Sequence, residues 1–186
     1  DLGESLNEFI HNTKNISVKQ LLVYSIQIIK RIKCLHDKQL LHRDIKPSNF
    51  LFGLEEQTNK LFLCDLGFTK RYIVNDNHII EKKITNIIGT LNFVSLNVHN
   101  LIEPSRRDDL ESAIYVILTM FYKKLDWFNE TNIDKIYYLK NNLIYSSKIP
   151  EFIKNMLVYI RSLKFEQSPK YDHIIDIINL EYSNYV

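Results

Sequence analysis

The sequence predicts a mainly α-helical body with a few short β-strands at one edge, and three observations lead there. Apolar residues recur at helical spacing over residues 17–37 and again over 107–122. Three short apolar runs, Leu40-Leu41, Phe50-Leu51-Phe52 and Leu61-Phe62-Leu63-Cys64, are too brief for helices and suit small buried strands. Only four glycines and four prolines occur in 186 residues, so linkers and low-complexity segments are not expected.

The first long element is the helix over 17–37. Ser17 stands as its N-cap with Gln20 three residues on, the pattern of a capping box. Leu21, Leu22, Ser25, Ile28, Ile29, Ile32 and Leu35 form its apolar face. It ends just before a dense polar stretch, His42-Arg43-Asp44-Ile45-Lys46-Pro47-Ser48-Asn49-Phe50, which it is expected to carry. Between Gly67 and about Asn97 no period is visible, and a loop that long inside a compact domain is usually functional or disordered. A helix over 107–122, with Leu110, Ala113, Ile114, Ile117, Leu118 and Phe121, is apolar on a wide surface and should lie centrally. A shorter helix is expected over 133–142. Pro150 suits the first turn of another through Leu163, and Ser168-Pro169 opens a last one through Leu180.

Composition bounds the function. The length suits one domain with a substantial core, and 45% hydrophobic with 25% charged residues is globular. A formal charge of +2 is too small to argue for nucleic acid or membrane as the main partner. Cys34 and Cys64 lie in apolar surroundings without CxxC spacing and read as buried, reduced thiols of an intracellular protein, in the cytoplasm or nucleus. No window nears the roughly 18 apolar residues of a membrane span, and no signal peptide opens the chain. It begins at Asp1 rather than Met, so a fragment, a processed product or a partial gene is expected.

The chemistry concentrates at two places. Asp44 and Asn49, five positions apart in a loop, can face one pocket with Lys46 between them. Asp65 follows the apolar run Leu61-Phe62-Leu63 and adds a second oxygen ligand, which suits Mg²⁺ held by one or two carboxylates plus phosphate oxygens. A base, a cation and a metal site together fit phosphoryl transfer, which depends on positioning and electrostatics. The histidines His11, His36, His78, His99 and His173 show no metal-ligand spacing.

His-Arg-Asp-x-Lys-x-x-Asn followed by Asp-x-Gly resembles the catalytic-loop and metal-loop pair of protein kinases. Gly89-Thr90, Ser95-Leu96-Asn97-Val98-His99 and the run Ser105-Arg106-Arg107-Asp108-Asp109-Leu110-Glu111-Ser112 are similar to the casein kinase 1 family, where a Ser-Ile-Asn type sequence replaces Ala-Pro-Glu. Arg161-Ser162-Leu163-Lys164-Phe165, Pro169 and Tyr171-Asp172 resemble that family's last helices, and Leu2-Gly3-Glu4-Ser5-Leu6 the segment after its hinge. The resemblance implies a protein-kinase-like fold, with 42–49 as catalytic loop and 65–97 as activation segment. It implies a serine/threonine protein kinase using ATP and Mg²⁺ on protein Ser/Thr hydroxyls, with no nucleic acid or membrane partner, acting as a monomer.

Carried over by motif, Asp44 is the catalytic base, Lys46 contacts the γ-phosphate, and Asn49 and Asp65 hold Mg²⁺. Thr90 hydrogen-bonds near Asp44 and Lys46, and Asp109 braces the loop from the central helix. Leu51 lies under the adenine, Leu2 borders the nucleotide, Glu8 reaches the ribose, and His42 and Leu66 are core spine residues. Glu8 reads equally well as an exposed helix acid, while Lys70, Arg71, Lys82 and Lys83 read as a solvated basic face or a phosphate-binding patch.

Departures from the pattern carry expectations of their own. No glycine-rich loop, strand lysine or partner glutamate precedes Leu2, so the chain is expected to be the C-terminal lobe alone and to bind ATP poorly by itself. Leu66 replaces the commoner Phe. Asn92 stands where relatives carry an arginine for primed substrates, with Lys135 a weak substitute, and Ile114 replaces a small glycine. Two other readings stay open: a kinase-like binding or scaffold module without catalysis, and a relative of the vaccinia-related kinases, which share Ser-Arg-Arg-x-Asp-Leu-Glu. Arg43 and Pro47 fit casein kinase 1 better.

Overall fold

The computed structural model describes residues 2–185; Asp1 and Val186, the ends of the expected lobe, lie outside the described residues. In chain order the helices are α1 (Leu6–Asn12), α2 (Val18–His36), α3 (Leu96–His99), α4 (Arg106–Tyr122), α5 (Ile133–Asn141), α6 (Glu151–Ser162) and α7 (Tyr171–Ser183). Six short strands, β1 (Leu40–Leu41), β2 (Phe50–Phe52), β3 (Leu61–Leu63), β4 (Lys70–Arg71), β5 (Ile73–Val74) and β6 (Asn77–His78), pair antiparallel as β1-β4, β2-β3 and β5-β6. The expected helical body with a small strand-bearing edge is what the chain builds.

At its centre runs α4, in which every residue from Asp108 to Met120 is buried. Helices α2 and α6 pack on it, and α7 closes against both of them. Each leucine or isoleucine fully removed from water here contributes about 1.5–3 kcal/mol. Ile114 is among them, fully buried and absorbed by local packing.

Several expectations need correction. Helix α1 was anticipated only in reading Glu8 as a helix acid and was given no bounds, because seven residues are too few for an apolar period to register. It is set by Ser5, whose Oγ accepts from Glu8 N at 3.2 Å while Glu8 Oε2 accepts from Ser5 N at 2.8 Å. At α2 only half of the expected capping box forms. Ser17 Oγ accepts from Gln20 N, but the Gln20 amide donates to the Tyr24 hydroxyl instead. The stretch 67–97, expected to lack regular structure, carries β4, β5 and β6 and begins α3. Pro150 is the N-cap of α6 rather than its first-turn residue, and α7 starts at Tyr171, later than Ser168-Pro169 implied. Cys34 is exposed rather than buried, and Cys64 is half-buried, with burial raising its thiol pKa. No helix of the described residues is long and apolar enough to cross a membrane.

Candidate active site

The polar stretch at 42–49 follows β1 and is held from below by the first turn of α4. Asp109 Oδ2 accepts from His42 N at 2.7 Å and its Oδ1 from Arg43 N at 2.8 Å. This pair of bonds holds Arg43 in the left-handed region, at φ 68°. Asp109 Oδ2 also meets His36 Nε2 at 3.0 Å, while His36 Nδ1 meets the Tyr171 hydroxyl at 2.6 Å. The end of α2 and the start of α7 thus converge on one buried carboxylate. Burial pushes its pKa up, but His36 and the two amides outweigh burial and hold it below the ordinary 3.8. His42 is fully buried and donates from Nε2 to Cys64 O at 2.9 Å, while its Nδ1 accepts from Asp44 N. It ties the loop to the segment that ends in Asp65.

Asp44 is 4% exposed and bonded on both oxygens. Oδ1 accepts from Thr90 N at 2.9 Å and Thr90 Oγ1 at 2.7 Å, and Oδ2 meets Lys46 Nζ at 2.7 Å. Burial raises the Asp44 pKa, yet Lys46 and Thr90 together bring it below its ordinary value, so the carboxylate is ionised at physiological pH. A 3₁₀ turn at Pro47–Asn49 returns the chain toward Asp44, and Asn49 Nδ2 donates to Asp44 O at 2.9 Å.

Strand register joins Asn49 to Asp65. Phe50 pairs with Leu63 across β2 and β3, and one step further Cys64 N donates to Asn49 O at 2.9 Å. With Asn49's amide nitrogen committed to Asp44 O, its oxygen is the end that remains for a cation. Asp65, at φ 60°, is exposed and uses Oδ1 to accept from Gly67 N. Among the described residues no three acidic, histidine or cysteine side chains cluster into a metal cage. One amide and one carboxylate oxygen fit Mg²⁺, a hard ion that keeps waters and binds with phosphate oxygens.

Leu51 and its partner Phe62 share the outer face of the β2-β3 pair, while Phe50 and Phe52 face the core. Residues 3–5 run alongside β2, bonded at Gly3 N to Phe52 O and at Phe52 N to Glu4 O. Leu2, 39% exposed, shares a shallow depression with Phe62 and Leu54. Phe62 thus lies between Leu51, its partner across the strands, and Leu2 in the depression. Glu8 is exposed, and its bonds to Ser5 N and Oγ, which lower its pKa, commit one carboxylate oxygen to the helix cap. Leu66 departs from its expected place. It is 55% exposed, following the turn at Asp65, which sits at positive φ.

Thr90 reaches Asp44 because Gly89 lets the chain pass close to Arg43. Gly89 sits at φ 99°, and a Cβ there would lie 2.5 Å from Arg43 O. Downstream, Ser95 Oγ and Asn97 Nδ2 both donate to Asp108 Oδ1, and Ser105 N donates to Oδ2. Burial pushes Asp108 up to about 6 against these donors. The Ser-Leu-Asn sequence therefore anchors to the start of α4. Of the four cations in 67–97, Lys70 pairs with buried Glu103 at 2.6 Å and Lys83 Nζ donates to Asn100 O. Lys135 pairs with Glu130, and Asn92 presents its carbonyl to Trp127 Nε1.

Three contributors escaped sequence reading: His36 under Asp109, and Trp127 and Lys140 behind the Thr90 segment. Each looked ordinary in the sequence, a helix histidine, a core aromatic and a helix lysine, and only long-range contacts reveal them. The family model described as "Protein kinase domain" matches residues 2–175.

Proposed function

The chain belongs to the protein kinase family, and from that membership we propose a serine/threonine kinase of casein kinase 1 type, acting with ATP and Mg²⁺ on protein hydroxyls. The observation that carries this is the bracketing of Asp44 by Lys46 on one oxygen and Thr90 on the other. A base so held is ionised, fixed in direction, and paired with a cation two residues away.

Asp44 accepts the hydroxyl proton as that oxygen bonds to phosphorus and the bond to the departing ADP oxygen breaks. In the reaction Lys46, now on Asp44 Oδ2, would shift toward the transferred phosphoryl and offset its charge. Asn49 and Asp65 would hold Mg²⁺, which would neutralise phosphate charge there. Leu51 with Leu2 supports the adenine. Glu8, with one oxygen committed to the cap, has its other oxygen for the ribose. In this reading 42–49 is the catalytic loop, 65–97 the activation segment, and the chain the lobe that carries both. Its substrates are proteins met inside the cell, and it acts as a monomer.

The test uses the complete protein with ATP, Mg²⁺ and casein. Phosphoserine or phosphothreonine is expected, and Asp44→Asn is expected to lower kcat about 100-fold or more. Undiminished transfer by Asp44→Asn would remove Asp44 from the reaction, and labelling confined to tyrosine would reject the hydroxyl class.

A further inference from the structure

Behind the Thr90 segment lies a buried cation that the reaction does not use. Lys140, in the last turn of α5, is 0% exposed. Its Nζ donates to Leu91 O and Val94 O, each at 2.8 Å, and lies 3.1 Å from His99 Nε2. Burial, with Lys140 repelling a proton, brings His99 down to about 4, so its neutral ring accepts from the lysine. No carboxylate among the described residues lies within ion-pair distance of Nζ. The remaining side of the ammonium faces the rings of Tyr115, at 4.8 Å, and Trp127, at 5.7 Å.

Trp127 belongs to the same arrangement. Its Nε1 donates to Asn92 O at 2.9 Å, so Leu91, Asn92 and Val94 all have their carbonyls taken by side chains from outside the segment. The segment's own bonds run from Phe93 N and Val94 N to Thr90 O, which folds it into one tight turn. Thr90 N and Oγ1, at the head of that turn, are the donors on Asp44. One rigid turn is therefore fixed to the base at one end and to Lys140 and Trp127 along its back.

Isolated ammonium groups are costly to bury, and most are paired with carboxylates. Lys140 satisfies backbone carbonyls instead, oxygens that an apolar residue would leave without partners. Burial, opposed by Glu111 and reinforced by Arg161, brings its ammonium down to about 7, as suits a cation held by neutral oxygens.

We propose that Lys140, together with Trp127, is a positioning residue that holds the turn 90–94 in the register that sets Thr90 against Asp44 and presents the substrate hydroxyl to it. This rests on the kinase reading for the hydroxyl, but not for the turn. Sequence reading passes over Lys140 because a lysine near a helix C-terminus ordinarily sits in solvent.

The test compares the complete protein with its Lys140→Met and Trp127→Phe variants by amide hydrogen exchange and by steady-state kinetics on a serine peptide. Exchange of the bonded amides of the turn, Thr90, Phe93 and Val94, is expected to quicken about tenfold in Lys140→Met, and less in Trp127→Phe, with α2 and α4 unchanged. Peptide KM should rise and kcat fall while the KM for ATP stays within about twofold. Unchanged exchange in 90–94, or a uniform rise across all helices, overturns the proposal. Should Lys140→Met fail to fold, Trp127→Phe carries the same reading, and unaltered exchange there overturns it equally. Exchange needs neither ATP nor peptide. A wrong hydroxyl class would therefore appear only in the kinetics, and a wrong role for Lys140 in the exchange.

Discussion

Gly89 and Arg43 pass so close that a single methyl on Gly89 would lie 2.5 Å from the Arg43 carbonyl oxygen. Both residues sit at positive φ, 99° and 68°, and between them they bring the Thr90 segment onto the loop 42–49. Gly89→Ala meets the clash and the backbone strain together. It is expected to cost about 1–3 kcal/mol in urea unfolding, and to lower kcat by pulling Thr90 off Asp44. ATP affinity, measured in the same protein, should change little.

The stability of the loop depends on acid through Asp109. A carboxyl whose folded pKa is depressed binds fewer protons in the folded state, so its contribution is complete above the unfolded value of 3.8 and is lost as pH falls below it. Asp44 has the same sign. Asp109→Asn leaves the His42 or Arg43 amide without its acceptor and should cost about 1–3 kcal/mol at neutral pH. It should also flatten the loss of stability below pH 3.8, measured by urea unfolding from pH 7 to pH 3.

Asp108, the next residue back, works in the opposite direction. Burial raises its carboxyl to about 6, so the folded state takes up a proton between about 6 and 3.8 and gains stability as pH falls through that window. Asp108→Asn should remove this gain while leaving the loss below 3.8 in place. Comparing the two variants in one pH series separates adjacent carboxylates.

Glu111 and Arg161 tie α4 to α6. Arg161 Nε lies 3.0 Å from Glu111 Oε1, which also accepts from the Tyr115 hydroxyl at 2.6 Å, and Arg161 donates to Lys140 O at 2.9 Å. Removing one partner strands a buried charge, so Arg161→Met or Glu111→Gln should each cost about 3–5 kcal/mol. The double variant should cost clearly less than the sum of the two, which a double-mutant cycle by chemical denaturation would measure.

Legibility followed the range of the interactions. Asp44, Lys46, Asn49 and Asp65 stood out because their spacing along the chain is itself the motif, and the short apolar runs that deliver them became β1, β2 and β3. The wide apolar surface over 107–122 foretold a central helix, and α4 is buried on every side from Asp108 to Met120. Leu66 and Cys34 were misjudged for the opposite reason. An apolar or thiol side chain says nothing of which way its turn or helix face points, and both face outward. Glu8 showed its acid but not its commitment, since a cap bond depends on where the helix starts.

The sequence by itself determined the inventory and the local geometry: which segments coil, which short runs pair, and which residues arrive at one loop. Those depend on periods of two and 3.6 residues and on spacings of a few positions, all local quantities. Tertiary structure decided what the inventory is attached to. His36 and Tyr171 support Asp109 from two helices far apart in the chain, and Lys140 with Trp127 holds the turn that faces Asp44. Burying a polar group is favourable only when its partner is already in place, and that partner is supplied by packing rather than by spacing.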